Sequence, residues 1–347
     1  MHGFFSTVKI QDVWAAIRVG ASVGLPLWAA YAFDELAYAV YAAFGALTYL
    51  YGHAETRQRR VETQVIVAAG LLITVAVAAT YSAVQGPVWL LGVMLFGVVV
   101  GAGTLGTVMG WVPRGEIFFI LVLLVIAGIP IRPDQLPVVV AISAGGAGLA
   151  VLLTALEPRN GADPRSVAIR LRERAAAGSA AIEMRRHAVV VTAAALGVTS
   201  AWLLSLSLQI GHPFWAPITV AALMPALVST DAIRRTTQLA LGTIVGVCFA
   251  ALLFSAKPNI AALIIIIASC QAIAELFIVH SYAIALFFIS PLAIGMSNLG
   301  RNLPWPPLLA DRLVEAGLGV AVACVTIMMG RCVLARLISQ SGIDRSS

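Results

Sequence analysis

The residues of this chain that could do chemistry crowd into one stretch between positions 211 and 246. It runs Gly211-His212-Pro213-Phe214-Trp215-Ala216-Pro217-Ile218-Thr219, then Met224-Pro225, Asp231-Ala232-Ile233-Arg234-Arg235, and Leu241-Gly242-Thr243-Ile244-Val245-Gly246. An imidazole, an indole face and a hydroxyl followed by two guanidiniums suit a flat anionic solute, which needs a stacking surface and a charge-assisted donor. Arg18 is a further cation of the same kind, within the first apolar run. Glu275, Asp311 and Glu315 are the carboxylates placed where desolvation could let them carry a proton. Asp311 and Glu315 stand four apart on one helical face, with Arg312 three residues before Glu315. His280 is the histidine nearest Glu275 and reads as an interfacial residue.

The elements that must position these groups lie in lipid. The chain is 60% hydrophobic and only 11% charged, with a mean hydropathy of +0.95, where a soluble domain carries about 25% charged residues. Apolar runs lie near 12–32, 36–51, 64–84, 88–110, 116–130 and 136–156, and near 188–208, 213–228, 236–255, 259–277, 282–298 and 312–334. Continuous rather than alternating apolarity predicts helices and excludes a barrel. The fold class is therefore an all-α integral membrane protein of about twelve transmembrane helices. With the N-terminus inside, the inner segments hold 18 of the 22 Lys and Arg residues. That asymmetry predicts cytoplasmic N- and C-termini and a multi-pass place in the cytoplasmic (inner) membrane. The first run contains Ala30-Tyr31-Ala32, a pattern that can mark signal cleavage, but the charge partition holds only if this run stays as a helix.

Two six-helix halves are expected, 1–156 and 188–347, joined by a cytoplasmic basic amphipathic linker at 157–187 with seven arginines against four acids. A shift of 175 residues lays Arg59-Arg60 on Arg234-Arg235, each pair read as a basic turn ahead of the third helix of its half. Because six is even, the copies share one orientation, a parallel repeat. Pro213, Pro217 and Pro225 are expected to break the short second helix of the second half and to free backbone groups. Gly20xxxGly24, Gly97xxxGly101 and Gly242xxxGly246 predict close helix approach.

The net charge of +6 invites a nucleic-acid reading, but the arginines cluster between apolar runs, as at a membrane face. Cys248, Cys270, Cys324 and Cys332 are read as small buried hydrophobes, without metal-ligand spacing. Gly101 to Gly106 fits GxGxxG only superficially, with no strand before it. No cofactor, metal or enzymatic activity is expected. The partners are the bilayer and a small organic anion, with self-association left open.

The stretch 211–246 resembles the signature of the fusaric acid resistance and aromatic acid exporter superfamily, to which the plant aluminium-activated malate transporters are related. The matching residues are His212, Pro213, Trp215, Ala216 and Thr219, then Arg234-Arg235, then Leu241, Gly242, Thr243 and Gly246. Arg18 resembles the arginine of that family's opening helix, and Arg312, Glu315 and Gly319 its closing Arg-x-x-acid-x-x-x-Gly pattern. The pattern departs at Leu239 and Val190, where relatives often carry arginine. The resemblance implies export of aromatic or other organic acids coupled to the proton gradient. Arg18, His212, Trp215, Thr219, Arg234 and Arg235 would bind substrate, and the helix start after Arg234-Arg235 would add a positive dipole end. Three alternatives are a passive organic-anion channel, a major-facilitator-like transporter and a non-transporting membrane scaffold.

Overall fold

The computed structural model describes residues 10–52, 55–111, 115–157, 181–278, 280–301 and 303–340. All of the regular elements among them are helices, without a strand. The helices are α1 (Ile10–Ala32), α2 (Ala39–Ala46), α3 (Arg57–Ala83), α4 (Val88–Met109), α5 (Glu116–Ala127), α6 (Leu136–Ala155), α7 (Ala181–Ser207), α8 (Trp215–Leu223), α9 (Ala232–Ser255), α10 (Ile260–Ile278), α11 (Tyr282–Asn298) and α12 (Trp305–Gln340). Eight are long and apolar enough to cross a membrane, and four shorter apolar helices lie at 36–50, 116–127, 215–227 and 282–298. Together they fall at the twelve expected positions. Side chains such as Ile73, Val93, Leu252 and Met328 stand exposed on the long helices. A protein in water would be expected to hide such faces, and lipid accepts them. This is a multi-pass membrane protein.

Several boundaries differ from expectation. α3 begins at Arg57 and α9 at Ala232, so Arg59-Arg60 and Arg234-Arg235 occupy the first helical turn rather than a turn before it. Arginine is a good helix former, and nothing in these sequences stops the helix short of it. α12 begins at Trp305, which puts Asp311, Arg312 and Glu315 well inside the helix instead of opening it. Pro213 precedes α8, Pro217 is its third residue, and Pro225 is the second residue of a 3-10 turn at Met224–Leu227. At a helix start the missing N–H costs nothing, so Pro213 and Pro217 mark the beginning of α8, whereas Pro225 falls where the α-helix gives way to the 3-10 turn, as the expected break requires. The amphipathic linker helix falls largely outside the described residues.

The chain forms two compact units. The first comprises residues 1–50, 137–157 and 237–314, and so takes α1, α2, α6, most of α9, α10, α11 and the start of α12. The second comprises 51–136, 158–236 and 315–347, with α3, α4, α5, α7, α8 and most of α12.

Backbone-to-backbone contact through glycine holds the first unit together. A Cβ added at Gly45 would run into the carbonyl oxygen of Ser143, and one at Gly146 into that of Ala42, so α2 and α6 touch along their main chains. Gly20 and Gly24 of α1 face Ala272 and Ala268 of α10, with added-Cβ distances of 2.9 and 3.0 Å. Gly242 and Gly246 of α9 face the Ala283 and Phe287 carbonyls of α11 at 2.6 and 2.7 Å. Two of the three GxxxG motifs thus act as expected. The third does not: Gly97 and Gly101 have nothing within 4 Å. Their side of α4 is exposed, because the packed face of that helix is carried by Leu95, Val99 and Ala102.

The second unit packs similarly. Gly70 of α3 lies 2.9 Å (added Cβ) from the Phe119 ring of α5, Gly92 of α4 3.2 Å from Trp202 of α7, and Gly106 of α4 2.9 Å from the Gly115 nitrogen before α5. Tyr51 is fully buried, donates to the Gly115 carbonyl at 3.0 Å, and meets Trp111 and Phe118 edge-on. Of the cysteines only Cys270 is buried; Cys248, Cys324 and Cys332 are exposed, correcting their reading as core. In lipid a small apolar side chain gains little by turning inward.

Adjacent glycines provide a test. Gly146→Ala forces two backbones apart and should cost about 1–3 kcal/mol, the range for overpacking. Gly145→Ala meets nothing and should be neutral or stabilising by up to about 1 kcal/mol through helix propensity. Thermal unfolding of the purified chain in detergent measures both; equal Tm shifts would contradict the packing described.

Candidate functional site

α8 with its 3-10 turn is 13 residues long, about 20 Å, well short of the roughly 30 Å hydrocarbon core. Both its ends must therefore find partners for orphan backbone groups where water is scarce. At the N-terminal end the donors can be followed one by one. Trp215 N–H donates to the His212 carbonyl at 3.4 Å, and Ile218 N–H to the Phe214 carbonyl at 3.3 Å. Pro217 has no N–H to satisfy. Ala216 N–H donates to Glu315 Oε2 of α12 at 2.7 Å. Glu315 is 0% exposed, and its carboxyl oxygen acts as a helix cap supplied from another helix.

The C-terminal end is met by arginines. Arg235 Nε donates to the Ala222 carbonyl at 3.0 Å. Arg331 of α12 donates through Nη2 to the Ala226 carbonyl at 2.7 Å, through Nε to that of Leu227 at 3.3 Å, and also to the Ser229 carbonyl. Glu315 and Arg331 are 16 residues apart on one helix, a rise of about 24 Å. α12 thus straps α8 at both ends. Gly319 permits the approach: a Cβ there would lie 2.7 Å from the Ala216 carbonyl and 2.6 Å from Thr219 Cβ. The closing motif residues Glu315 and Gly319 therefore pack directly on the His-Pro-x-Trp-Ala-x-x-Thr segment.

The sequence-derived substrate residues divide accordingly. His212 is half-buried and stacks on Trp215 at 5.1 Å, with Phe214 edge-on to both. Trp215 is only 2% exposed, so its indole is chiefly a packing surface. The Thr219 hydroxyl donates back to the Trp215 carbonyl at 2.9 Å. Arg234 is exposed, whereas Arg235 is half-buried on the α8 carbonyl. The helix start expected after this pair lies before it, which removes the proposed dipole end from the arginines' C-terminal side.

A second polar site lies in the first unit. Arg18 Nε donates to Tyr49 Oη at 3.0 Å and lies 3.1 Å from Glu157 Oε1, while Tyr49 Oη donates to that same oxygen at 2.7 Å. Tyr49 is fully buried, and the Arg18 and Glu157 side chains are 28% and 10% exposed. Glu275 is half-buried near the end of α10, and Asp311 half-buried on α12. His280 Nδ1 lies 3.2 Å from the Leu276 carbonyl, to which its Nδ1–H tautomer donates.

Sequence reasoning missed Tyr49, Glu157, Arg331 and Glu116. Glu157 had been read as the first linker residue and Arg331 only as an inside charge, since no local pattern ties either to a residue over 100 positions away. Glu116 is 5% exposed and opens α5. It lines a small cavity with Gly103, Thr107, Val191 and Met224, with room for about one water. Its signal was available: an acid at the start of a wholly apolar helix.

The fold and these two charged sites define a helical membrane protein with a strapped, interrupted span and an arginine paired inside the bundle. Residues 200–326 match the family described as fusaric acid resistance protein-like, a stretch containing α8, α9 and the Glu315–Gly319 pattern. A relative from Bacillus subtilis (strain 168), the uncharacterized membrane protein YvaC, is 28% identical over 112 residues, 32% of this chain and 18% of that protein. The aligned stretch thus spans less than a fifth of the relative's length. No solved structure matches.

The strap makes a graded prediction. Glu315→Ala leaves the buried Ala216 N–H without its acceptor and should cost about 1–3 kcal/mol; Glu315→Gln keeps an acceptor oxygen and should lose clearly less. Tm values that fall equally for both would show that the cap is not the carboxylate's role.

Proposed function

We infer that this chain is a membrane exporter of aromatic or other organic acids in the cytoplasmic (inner) membrane, driven by the proton gradient. The observation that carries the reading is the strapped helix α8. Its His-Pro-x-Trp-Ala-x-x-Thr segment is held rigid by α12, and both elements lie in the stretch that matches the fusaric acid resistance protein-like family. Interrupted membrane helices at which backbone and side-chain polarity meet are where transporters commonly bind solutes. In the second unit His212 and Phe214 offer half-buried ring surfaces beside Trp215, with Arg234 and Arg235 as cations; in the first unit the cation is Arg18. Glu275, Asp311 and Glu315 remain the proposed proton carriers, with Glu315 the one already bound to a backbone donor.

The helix membership of the two units supports a design of two parallel six-helix repeats. Advancing every helix number by six, cyclically, converts the first unit's set, α1, α2, α6, α9, α10 and α11, into the second's, α7, α8, α12, α3, α4 and α5. Neighbour relations follow: α1 packs on α10 as α7 packs on α4, and α1 on α2 as α7 on α8. Asp34 and Gln209, 175 residues apart, both close a helix with positive φ, at 58° and 55°. Alternate crossing is supported by Arg18, Tyr49 and Glu157, which bring the beginning of α1 and the ends of the second and sixth spans to one level.

Everted membrane vesicles carrying the chain should accumulate labelled benzoate when the interior is acidified, and lose that accumulation with a protonophore. Benzoate uptake that persists unchanged without a pH gradient would remove the coupling and favour a passive anion pathway. No uptake under either condition would reject the exporter reading.

A further inference from the structure

The Arg18 cluster has a feature that a simple cationic site would lack. Its guanidinium is held from the side: Nε meets both Tyr49 Oη and Glu157 Oε1, at 3.0 and 3.1 Å. The two terminal amino groups make no hydrogen bond among the described residues, and the side chain is 28% exposed. An arginine fixed through Nε with its terminal fork open is oriented for a carboxylate, because the fork matches two carboxylate oxygens and its rotamer freedom is already spent. Glu157 at the same time sets the charge. Its carboxylate is 10% exposed and sits against the guanidinium, so the arginine's field is largely compensated before any ligand arrives. A single incoming carboxylate would still gain the bidentate geometry. A second carboxylate on the same ligand would face Glu157 across a few ångströms of poorly solvated protein, where like charges repel strongly.

We propose that Glu157, with Tyr49, positions Arg18 as a receptor for monocarboxylates and discriminates against dicarboxylates. This rests on the organic-acid reading above but goes beyond it by naming the substrate class and the residue that selects it. Glu157 is a positioning and selectivity residue; Arg18 is the group that touches the ligand. Partial compensation also suits a carrier, since an uncompensated arginine in this setting would hold its anion and release it slowly.

Benzoate and phthalate differ by one carboxylate on the same ring and are the probes. Titration calorimetry on the full chain in lipid nanodiscs should give a wild-type Kd at least tenfold lower for benzoate. Glu157→Gln keeps an oxygen that accepts from both Arg18 and Tyr49 while deleting the charge, so the geometry persists. It should improve phthalate binding roughly five- to tenfold more than benzoate binding, and slow benzoate release in vesicles. Arg18→Gln should abolish binding of both acids. Tyr49→Phe, which loses the hydroxyl's bonds to Arg18 and Glu157 but no charge, should weaken both acids alike and leave their ratio unchanged. A benzoate-to-phthalate ratio that Glu157→Gln does not move, or wild-type affinity in Arg18→Gln, overturns the proposal while leaving an organic-acid exporter standing. Failure of wild type and Glu157→Gln alike to bind either acid overturns both.

Discussion

A helix too short to cross the bilayer must still satisfy the backbone groups at its ends, and much of the second unit's arrangement follows from that requirement. α8 cannot rely on water at either end, so Glu315 supplies an acceptor to Ala216 and Arg331 supplies donors to Ala226 and Leu227. Both come from α12, whose length lets one element reach both ends. Gly319 then has to be small, because α12 can deliver Glu315 only if its backbone runs against Ala216 and Thr219. Three residues that look independent along the chain are one mechanical device.

The first unit answers the same constraint with less charge. α2 is also short and also passes into a 3-10 turn, at Leu47–Leu50. It is held mainly by backbone contact with α6 through Gly45 and Gly146, and its end bears Tyr49, which joins the Arg18–Glu157 pair. The two short helices thus use different side chains for equivalent tasks. Closely packed glycines hold α2 to its neighbour, where α8 adds a carboxyl group and two arginines to the close contact at Gly319.

Charge compensation gives both sites their character. A guanidinium within a low-dielectric bundle is costly unless a carboxylate or carbonyl dipoles meet it. Arg331 is met by the carbonyls of Ala226, Leu227 and Ser229 and serves structure. Arg18 is met at Nε by a carboxylate and a tyrosine hydroxyl, and its terminal amino groups make no hydrogen bond among the described residues. That difference in partners, invisible in residue type, separates a structural arginine from one able to bind an anion.

The sequence by itself determined the solvent, the helices and their number. Apolar run length and sparse charge admit no other reading when backbone groups must be satisfied within each segment. It also marked 211–246 as the informative stretch, which lies within the residues that match the fusaric acid resistance protein-like family. Helix starts were misplaced where arginines lay in the first turn, because charge signals the membrane edge while the helix itself continues past it. Only the tertiary structure decided what each charge does. Glu315 and Ala216 are 99 residues apart, Arg331 and Ala226 105, and Tyr49 and Glu157 108. Pairings at such separations leave no periodicity in the chain, since they depend on which helix faces pack. Gly97xxxGly101 and Gly242xxxGly246 are the same pattern in sequence, and only packing made one a contact and left the other bare.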